Sequence, residues 1–374
     1  MMNNKKVALI NHNLGPGGVS KYVYDLARKY KEKGLSFSVI ALTGGDDIYG
    51  KELLKQDIEV LFLSGKTKIY DIRYIRKLIQ ILKNYDIIHV NTFPSQFWTA
   101  CASIFLANKL YILTEHSTTN NRREKWWFKY IDKWMYKRYS KIISVSNEVN
   151  KNLQDWLTPS KKEKSKFIVI NNGVDLDRYS KVVRIKRQLI NPSLTNDQVL
   201  ICMLARFAPP KDQKTLIRSM TRLDDKYKLL LLGSGDQSAE IQLVKDLNIE
   251  DKVIFLDYRL DADSLVKSCD ISILSSNFEG LPLVVIEAMA MGIPTIGSDV
   301  DGLRDVMQDG GLLFECGNDE ELANKIKMLA EDKLFYDKIS KKGLLNSKKY
   351  SLDNVIDSYL TIYELLNKPR ELKK

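Results

Sequence analysis

The stretch NFEGLPLVVIEAMAMGIPTIGSDVDGLRD, residues 277–305, decides how this chain folds. The apolar run ISILSS just before it, at 271–276, reads as a buried strand. Pro282 suits the first turn of a helix, because the N–H it lacks is one of those left unbonded there. The order is therefore strand, sharp loop, helix. A helix beginning near Pro282 turns the backbone N–H groups of Leu281, Leu283 and Val284 toward whatever lies beyond the strand end, and its dipole favours an anion such as phosphate. Glu279 falls in the loop and Glu287 about one and a half turns into the helix. A carboxylate only accepts hydrogen bonds, and the neutral ligand groups that offer it paired donors are the vicinal hydroxyls of ribose or a hexose. Phosphate with hydroxyls on both sides describes a nucleotide sugar. For either glutamate taken alone a plainer reading stands beside this one: a loop residue in solvent, or a helix residue paired with a lysine.

A chain of 374 residues exceeds one ordinary core and predicts two domains of roughly 150–200 residues each. With 44% apolar and 28% charged residues, its composition is that of a soluble globular protein. The opening MMNNKKVALI lacks the long apolar core of a signal peptide, and the longest apolar stretch, 97–107, is far short of the ~20 residues a membrane helix needs. The expectation is a cytoplasmic chain. Cys101, Cys202, Cys269 and Cys316 are widely spaced in apolar segments, with no CxxC and no clustered histidine, which predicts reduced core residues and no metal site. The net charge of +11 is uneven: residues 1–190 carry about +17 and residues 191–374 about −6. The basic first half points to an anionic partner, nucleic acid or an anionic membrane surface.

Strand-like runs alternate with helical segments along the whole chain. In the first half they are 5–10, 37–42, 59–63, 87–90, 111–116, 141–146 and 167–173; in the second, 199–207, 228–235, 253–258, 271–276, 294–299 and 311–315. That alternation predicts two open parallel α/β sheets. After the first run, a glycine-rich turn leads into an amphipathic helix ending at Gly34, with Val19, Tyr22, Val23, Leu26 and Tyr30 at helical spacing. Gly15, Gly17 and Gly18 let the backbone approach a ligand closely, but the GxGxxG fingerprint fails at Ser20, and a plain tight turn explains the loop equally well. His116 closes a strand in TEHS, where open α/β sheets bind ligands; on its own it also reads as a satisfied polar residue. His12 and His89 have weaker claims.

Segment 122–139, RREKWWFKYIDKWMYKRY, reads as one helix with Lys125, Lys129, Lys133 and Lys137 on a basic stripe and Trp127, Ile131 and Met135 on an apolar one. It suits an anionic membrane interface. Equally, Trp127, Ile131, Trp134 and Met135 could pack on the sheet beneath a solvated face of lysines. Residues 180–197 read as a polar, basic connector. Residues 350–368 read as a helix with Tyr350, Val355, Tyr359 and Tyr363 on or near one face.

The run FEGLPLVVIEAMAMGIPTI resembles the signature of the retaining glycosyltransferases of family 4. Their GT-B fold is α/β, two Rossmann-like parallel-sheet domains facing a cleft. The resemblance is carried by a Glu, seven residues and a second Glu, with Gly-Leu-Pro between and Gly-Xaa-Pro after, and further matches extend it over essentially the whole chain. Asn172-Gly173-Val174-Asp175 matches the family's crossover segment. The resemblance therefore implies an acceptor-side domain at 1–175 and a nucleotide-sugar domain at 176–350, with a last helix at about 351–374 packing back on the first. It implies that Arg206 and Lys211 hold the donor diphosphate, which agrees with the physics of a leaving group that gathers negative charge. Phe-Ala-Pro-Pro intervenes here, and Asp212 follows Lys211 in place of Gly or Asn, a departure that touches the loop more than the charges. Further donor contacts are implied at Gly17, Gly18, Gly233, Tyr258, Arg259, Gly280, Leu281, Pro282 and Leu283, with Glu287 on the ribose and Glu279 on the sugar. Catalytic roles are implied for His116, Glu279, Arg206 and Lys211.

The implied reaction moves a hexose or N-acetylhexosamine from a nucleotide sugar, above all a UDP-sugar, to a hydroxyl of a lipid-linked or saccharide acceptor. By the same resemblance Glu279 binds the sugar from its hydroxyl side and leaves no nucleophile for the anomeric carbon, so front-face substitution with retention is expected, the departing phosphate helping to deprotonate the acceptor, in a cleft whose closure excludes water. No cofactor is expected and no metal. Of the two DxD look-alikes, Asp261–Asp263 reads as a helix cap, and Asp299–Asp301 is left without a role. The expected partners are the nucleotide sugar, the acceptor and, through 122–139, an anionic membrane surface on the inner face of the cytoplasmic membrane, with no nucleic acid. Three rivals stay open: an epimerase of the same architecture, a noncatalytic nucleotide- or nucleic-acid-binding protein, and a phosphorylase needing a pyridoxal lysine. No RNA-binding signature accompanies the aromatics of the basic half.

Overall fold

The computed structural model describes residues 5–65, 68–106, 108–117, 121–308 and 310–367. The chain divides into two compact units, Met1–Gly173 with Leu352–Lys374, and Val174–Ser351. In the first unit the strands are β1 (Val7–Asn11), β2 (Phe37–Ala41), β3 (Val60–Phe62), β4 (Ile87–Val90), β5 (Leu110–Glu115), β6 (Lys141–Ser144) and β7 (Phe167–Val169). They pair in parallel in the order β3-β2-β1-β4-β5-β6-β7. Helices cover both faces of such a sheet, which is why its strands read as nearly unbroken apolar runs. The strand order reverses direction between β1 and β4, the switch point beyond whose strand ends open α/β sheets bind ligands.

The helix Gly18–Glu32 buries Tyr22, Val23, Leu26 and Tyr30, and the chain leaves it through Gly34 at φ 69°, a left-handed turn that glycine adopts at little cost. Against it lies the C-terminal helix Leu352–Asn367. A buried polar ladder fixes their register: Tyr22 Oη to Tyr359 Oη at 3.0 Å and Tyr30 Oη to Tyr363 Oη at 2.8 Å. The ladder continues into the sheet, because His89 Nδ1 lies 2.6 Å from Tyr363 Oη and its Nε2 lies 2.7 Å from Thr114 Oγ1. Burial pushes the His89 pKa down to about 3, so the ring is neutral and each of its nitrogens is satisfied. Tyr350 belongs to a separate 3₁₀ turn, Lys348–Tyr350, while Val355, Tyr359 and Tyr363 are buried.

Segment 122–139 is not one helix. A 3₁₀ turn spans Asn121–Glu124 and the α-helix runs only from Phe128 to Lys137. The reason is a buried ion pair: Arg122 Nη2 lies 3.8 Å from Asp132 Oδ1, with the guanidinium 3.8 Å above the Phe93 ring. In a continuous helix those two residues would sit about 15 Å apart along the axis, so the chain must break for them to meet. The packing alternative for the apolar stripe holds only in part. Met135 and Tyr136 are buried in the sheet's core, whereas Trp127 and Trp134 stay exposed.

The second unit holds β8 (Val199–Leu204), β9 (Tyr227–Leu232), β10 (Val253–Leu256), β11 (Ile271–Leu274), β12 (Thr295–Ser298) and β13 (Leu312–Phe314), all parallel, in the order β10-β9-β8-β11-β12-β13. Its switch point lies between β8 and β11. Residues 180–197 are more than a connector: Ile190 and Leu194 are buried in this unit's core, and Arg187 Nη2 bonds both carboxylate oxygens of Asp270 at 2.9 and 2.7 Å. Cys202 and Cys269 are core residues as expected, but Cys101 is only partly buried and Cys316 is exposed, its Sγ 3.6 Å from Asn277 Oδ1. Glycine and asparagine around Cys316 make that segment a turn, which keeps the thiol out of the core. Among the described residues no helix is long and apolar enough to cross a membrane.

Candidate functional site

In the second unit the charged residues gather on the two loops that leave the switch point. Lys211 follows β8 and Glu279 follows β11, and Lys211 Nζ donates to Glu279 Oε1. Ser276 ties the two loops together. Its backbone forms an antiparallel bridge with Lys211, its Oγ donates to Glu279 Oε1 at 2.7 Å, and its N–H donates to Ser298 Oγ at 2.9 Å, reaching across to the end of β12. Two more backbone bonds complete the tie, Asp212 N to Ser275 O at 3.0 Å and Asn277 N to Pro210 O at 2.9 Å. The Asp212 carboxylate faces the other way and caps the helix Gln213–Met220, accepting from Thr215 N at 3.1 Å. This accounts for the residue that departs from the family pattern. Arg206 is exposed on the same loop, with its carbonyl held by Gln213 Nε2 at 3.0 Å.

The helix after the Glu279 loop runs from Leu283 to Ala290 with Pro282 at its N-cap, and the proline side chain makes no cap bond. Gly280 and Leu281 form the half-buried turn into it, and Glu287 is buried along it. Two glycines set close backbone approaches. A Cβ at Gly233 would lie 1.9 Å from Ala205 O, so the loop after β9 presses against the loop that carries Arg206. A Cβ at Gly302 would lie 2.3 Å from Glu279 O and 2.6 Å from Gly280 O, so the segment after β12 is seated directly under the Glu279 turn.

Tyr258 is half-buried after β10, and Arg259 is exposed with its guanidinium on Asp261 at 2.8 and 2.7 Å. That pair corrects the capping expectation: Asp261 stands at the N-cap of the helix Ala262–Ser268 but makes no side-chain cap bond, because its carboxylate is taken by Arg259. Asp263 is paired with Arg178. The other look-alike is also occupied, Asp299 and Asp301 both bonding Arg304, at 2.7 and 2.8 Å. Among the described residues no group of three His, Cys, Asp or Glu is arranged to hold a metal ion.

Gly17, Gly18 and His116 belong to the first unit. Gly17 is the N-cap of the helix Gly18–Glu32, and a Cβ at either glycine would meet nothing within 4 Å. His116 stands just beyond β5. Asn172 Nδ2 donates to its Nδ1 at 3.3 Å, leaving Nε2–H to donate to Asn91 Oδ1 at 3.3 Å, and the Tyr22 ring meets it edge-on at 5.4 Å. Desolvation pushes the His116 pKa down to about 3, so the ring is a neutral donor and acceptor at physiological pH. The sequence reading missed Asn91, Ser276 and the seating role of Ser298 and Gly302. The only signal for the last two was their place at or just past a strand end.

Comparison with known proteins bears on both halves. Residues 186–345 match the profile described as Glycosyl transferases group 1, and residues 16–178 match Glycosyltransferase Family 4. N-acetyl-alpha-D-glucosaminyl L-malate synthase of Bacillus anthracis is 24% identical over 314 residues, 79% of each chain. N,N'-diacetylbacillosaminyl-diphospho-undecaprenol alpha-1,3-N-acetylgalactosaminyltransferase of Campylobacter jejuni is 27% identical over 236 residues, 62% of each chain. Among solved structures, Anabaena Alr3699/HepE in complex with UDP and glucose aligns with a TM-score of 0.82 at 20% identity, covering 96% of this chain and 100% of that one.

Proposed function

This chain belongs to the glycosyltransferases of the group 1 and family 4 type, on the GT-B fold, and from that premise we propose that it is a retaining enzyme. It moves a hexose or N-acetylhexosamine from a UDP-sugar to a hydroxyl of a lipid-linked or saccharide acceptor, without a metal. The observation that carries this reading is the Lys211–Glu279 pair at the switch point of the second unit, braced by Ser276. A cation for the departing diphosphate beside a carboxylate for sugar hydroxyls, next to a helix start whose N-cap residue Pro282 makes no side-chain cap bond, is what this reaction calls for. Arg206, exposed on the same loop, supplies the second cation, and the two together do the charge work a metal otherwise does. Glu279 serves the sugar hydroxyls, so no protein carboxylate attacks the anomeric carbon; the phosphate oxygen that leaves takes the acceptor proton on the same face.

The donor and acceptor classes are supported by what similar proteins do. The Campylobacter relative is named for transfer to a diphospho-undecaprenol-linked sugar, and the Anabaena structure holds UDP and glucose. The exposed tryptophans of segment 122–139 support work at an anionic membrane surface, the inner face of the cytoplasmic membrane. The test is incubation of the full chain with a panel of UDP-sugars and a prenyl-diphosphate-linked sugar in EDTA, following UDP release and the anomeric proton of the product by NMR. Acceptor-dependent UDP release with the donor's anomeric configuration retained is expected. Inverted product, activity only on adding a divalent metal, or UDP release that ignores the acceptor would each contradict the reading, the last favouring an epimerase.

A further inference from the structure

On the first unit the helices Arg73–Leu82, Ser95–Ala102 and Phe128–Lys137 lie side by side over one core. Two stretches far apart in sequence stand outward at the margins of this layer. Tyr70 and Ile72, which lead into the first helix, are 68% and 74% exposed; Trp126 and Tyr130, around the start of the third, are 74% and 68% exposed. Rings bridge them without a gap. Tyr70 lies 6.4 Å from Phe93, Phe93 lies 6.4 Å from Phe128, and Phe128 lies 4.6 Å from Trp127. Phe93 and Phe128 are themselves half-buried, so the two exposed segments are joined by one row of rings that stands outward at both ends, not by the face of a single amphipathic helix. Exposed apolar side chains normally occur singly, and a contiguous patch of them marks an interaction surface.

Charge selects the occupant. Residues 122–138 contain seven Lys and Arg and two acids, Glu124 and Asp132, and Asp132 is buried beneath Arg122, so it offers nothing outward. At the other end Asp71 is held by Arg73 through bonds of 2.9 and 2.6 Å, and Arg76 adds a further cation on that helix. Aromatic rings with a polar tip, rimmed by cations of one sign, match the headgroup boundary of an anionic bilayer, where rings sit at the apolar edge and lysines reach phosphate. The centre of a protein–protein interface is instead depleted of lysine. We propose that the ridge from Tyr70–Ile72 to Trp126–Trp134 is a two-segment docking surface for an anionic phospholipid bilayer, with residues 70–72 entering the headgroup layer beside the tryptophans. The proposal rests on the membrane reading given above and adds to it a second segment that the 122–139 stretch does not contain.

The test is co-sedimentation of the full chain with vesicles of phosphatidylcholine alone or with added phosphatidylglycerol. Two double variants are compared, Tyr70→Ser with Ile72→Ser, and Trp126→Ser with Tyr130→Ser; all four side chains are exposed, so melting temperatures should match the wild type. Binding only to vesicles containing phosphatidylglycerol, weakened by salt and lowered about tenfold in each variant, is expected. Wild-type binding by the Tyr70/Ile72 variant beside a loss in the Trp126/Tyr130 variant overturns the two-segment surface and leaves the membrane reading standing. Failure of the wild type to bind removes both. Lipid-free self-association that the same variants abolish assigns the ridge to a second copy of the chain and overturns the proposal.

Discussion

Gly302→Ala tests whether the backbone seat under the Glu279 turn sets catalysis. The added Cβ would stand 2.3 Å from Glu279 O and 2.6 Å from Gly280 O, whereas a carbon and a carbonyl oxygen in contact normally keep about 3.3–3.6 Å. Both neighbours are backbone atoms that cannot rotate away, so the turn or the start of the next helix must shift by about 1 Å. An overpacked contact of this kind costs about 1–3 kcal/mol of stability, which a folded protein of this size tolerates. The same shift carries Glu279 out of line with Ser276 and Lys211, and a displacement of about 1 Å at a reacting centre costs on the order of 10²-fold in rate. The assay is kcat/KM for sugar transfer beside thermal melting of the same preparation. A melting temperature lowered by only a few degrees with kcat/KM down about a hundredfold is expected. Unchanged kcat/KM would show that the Glu279 turn need not be held where Gly302 holds it, and the reasoning would fail.

Ser276→Ala removes the hydroxyl that donates to Glu279 Oε1. A hydrogen bond to a charged group contributes about 1.5–3 kcal/mol, so kcat/KM should fall at least about tenfold, and full activity would exclude Ser276 as a positioning residue. Tyr363→Phe leaves His89 Nδ1 and Tyr30 Oη without their shared partner; a loss of about 2–4 kcal/mol in urea unfolding, with faster proteolysis of the C-terminal helix, is expected. His89 and His116 are both held neutral down to about pH 3 in the folded chain, while the unfolded chain takes up a proton at each near pH 6.5. The stability they contribute is therefore present above about 6.5 and lost as pH falls toward 3. Between pH 7 and 5 each costs roughly 1–2 kcal/mol, and His89→Gln should remove one such share of the decline seen by urea titration at the two pH values.

The thirteen strands of the described residues lie where apolar runs predicted them, because strands of a parallel sheet are buried on both faces and announce themselves as continuous Val, Ile and Leu. Their ends were less legible: β11 stops at Leu274, which frees Ser275 and Ser276 to act as loop residues. Glu279 and Glu287 stood out by their place around a Gly-Leu-Pro turn at a helix start, and Lys211 only by the resemblance to family 4. What joins them did not. The Ser276–Ser298 bond spans 22 residues and the Gly302 contact is with backbone carbonyls, neither of which leaves a periodic or compositional trace. Competition between partners also misled. Asp261 has the composition of a cap yet goes to Arg259, and Arg122 breaks a regular helical stripe to reach a buried carboxylate.

The most direct test of the donor site is calorimetric titration of UDP, GDP and ADP into the chain in EDTA, repeated with Glu287→Gln, whose melting temperature is checked alongside. The account predicts that UDP binds without metal, and that replacing a charged acceptor on the ribose weakens it by about 1.5 kcal/mol or more, roughly tenfold. Absence of binding by all three nucleotides, or equal affinity in a folded Glu287→Gln protein, would contradict the assignment of residues 277–305 as the nucleotide-sugar site.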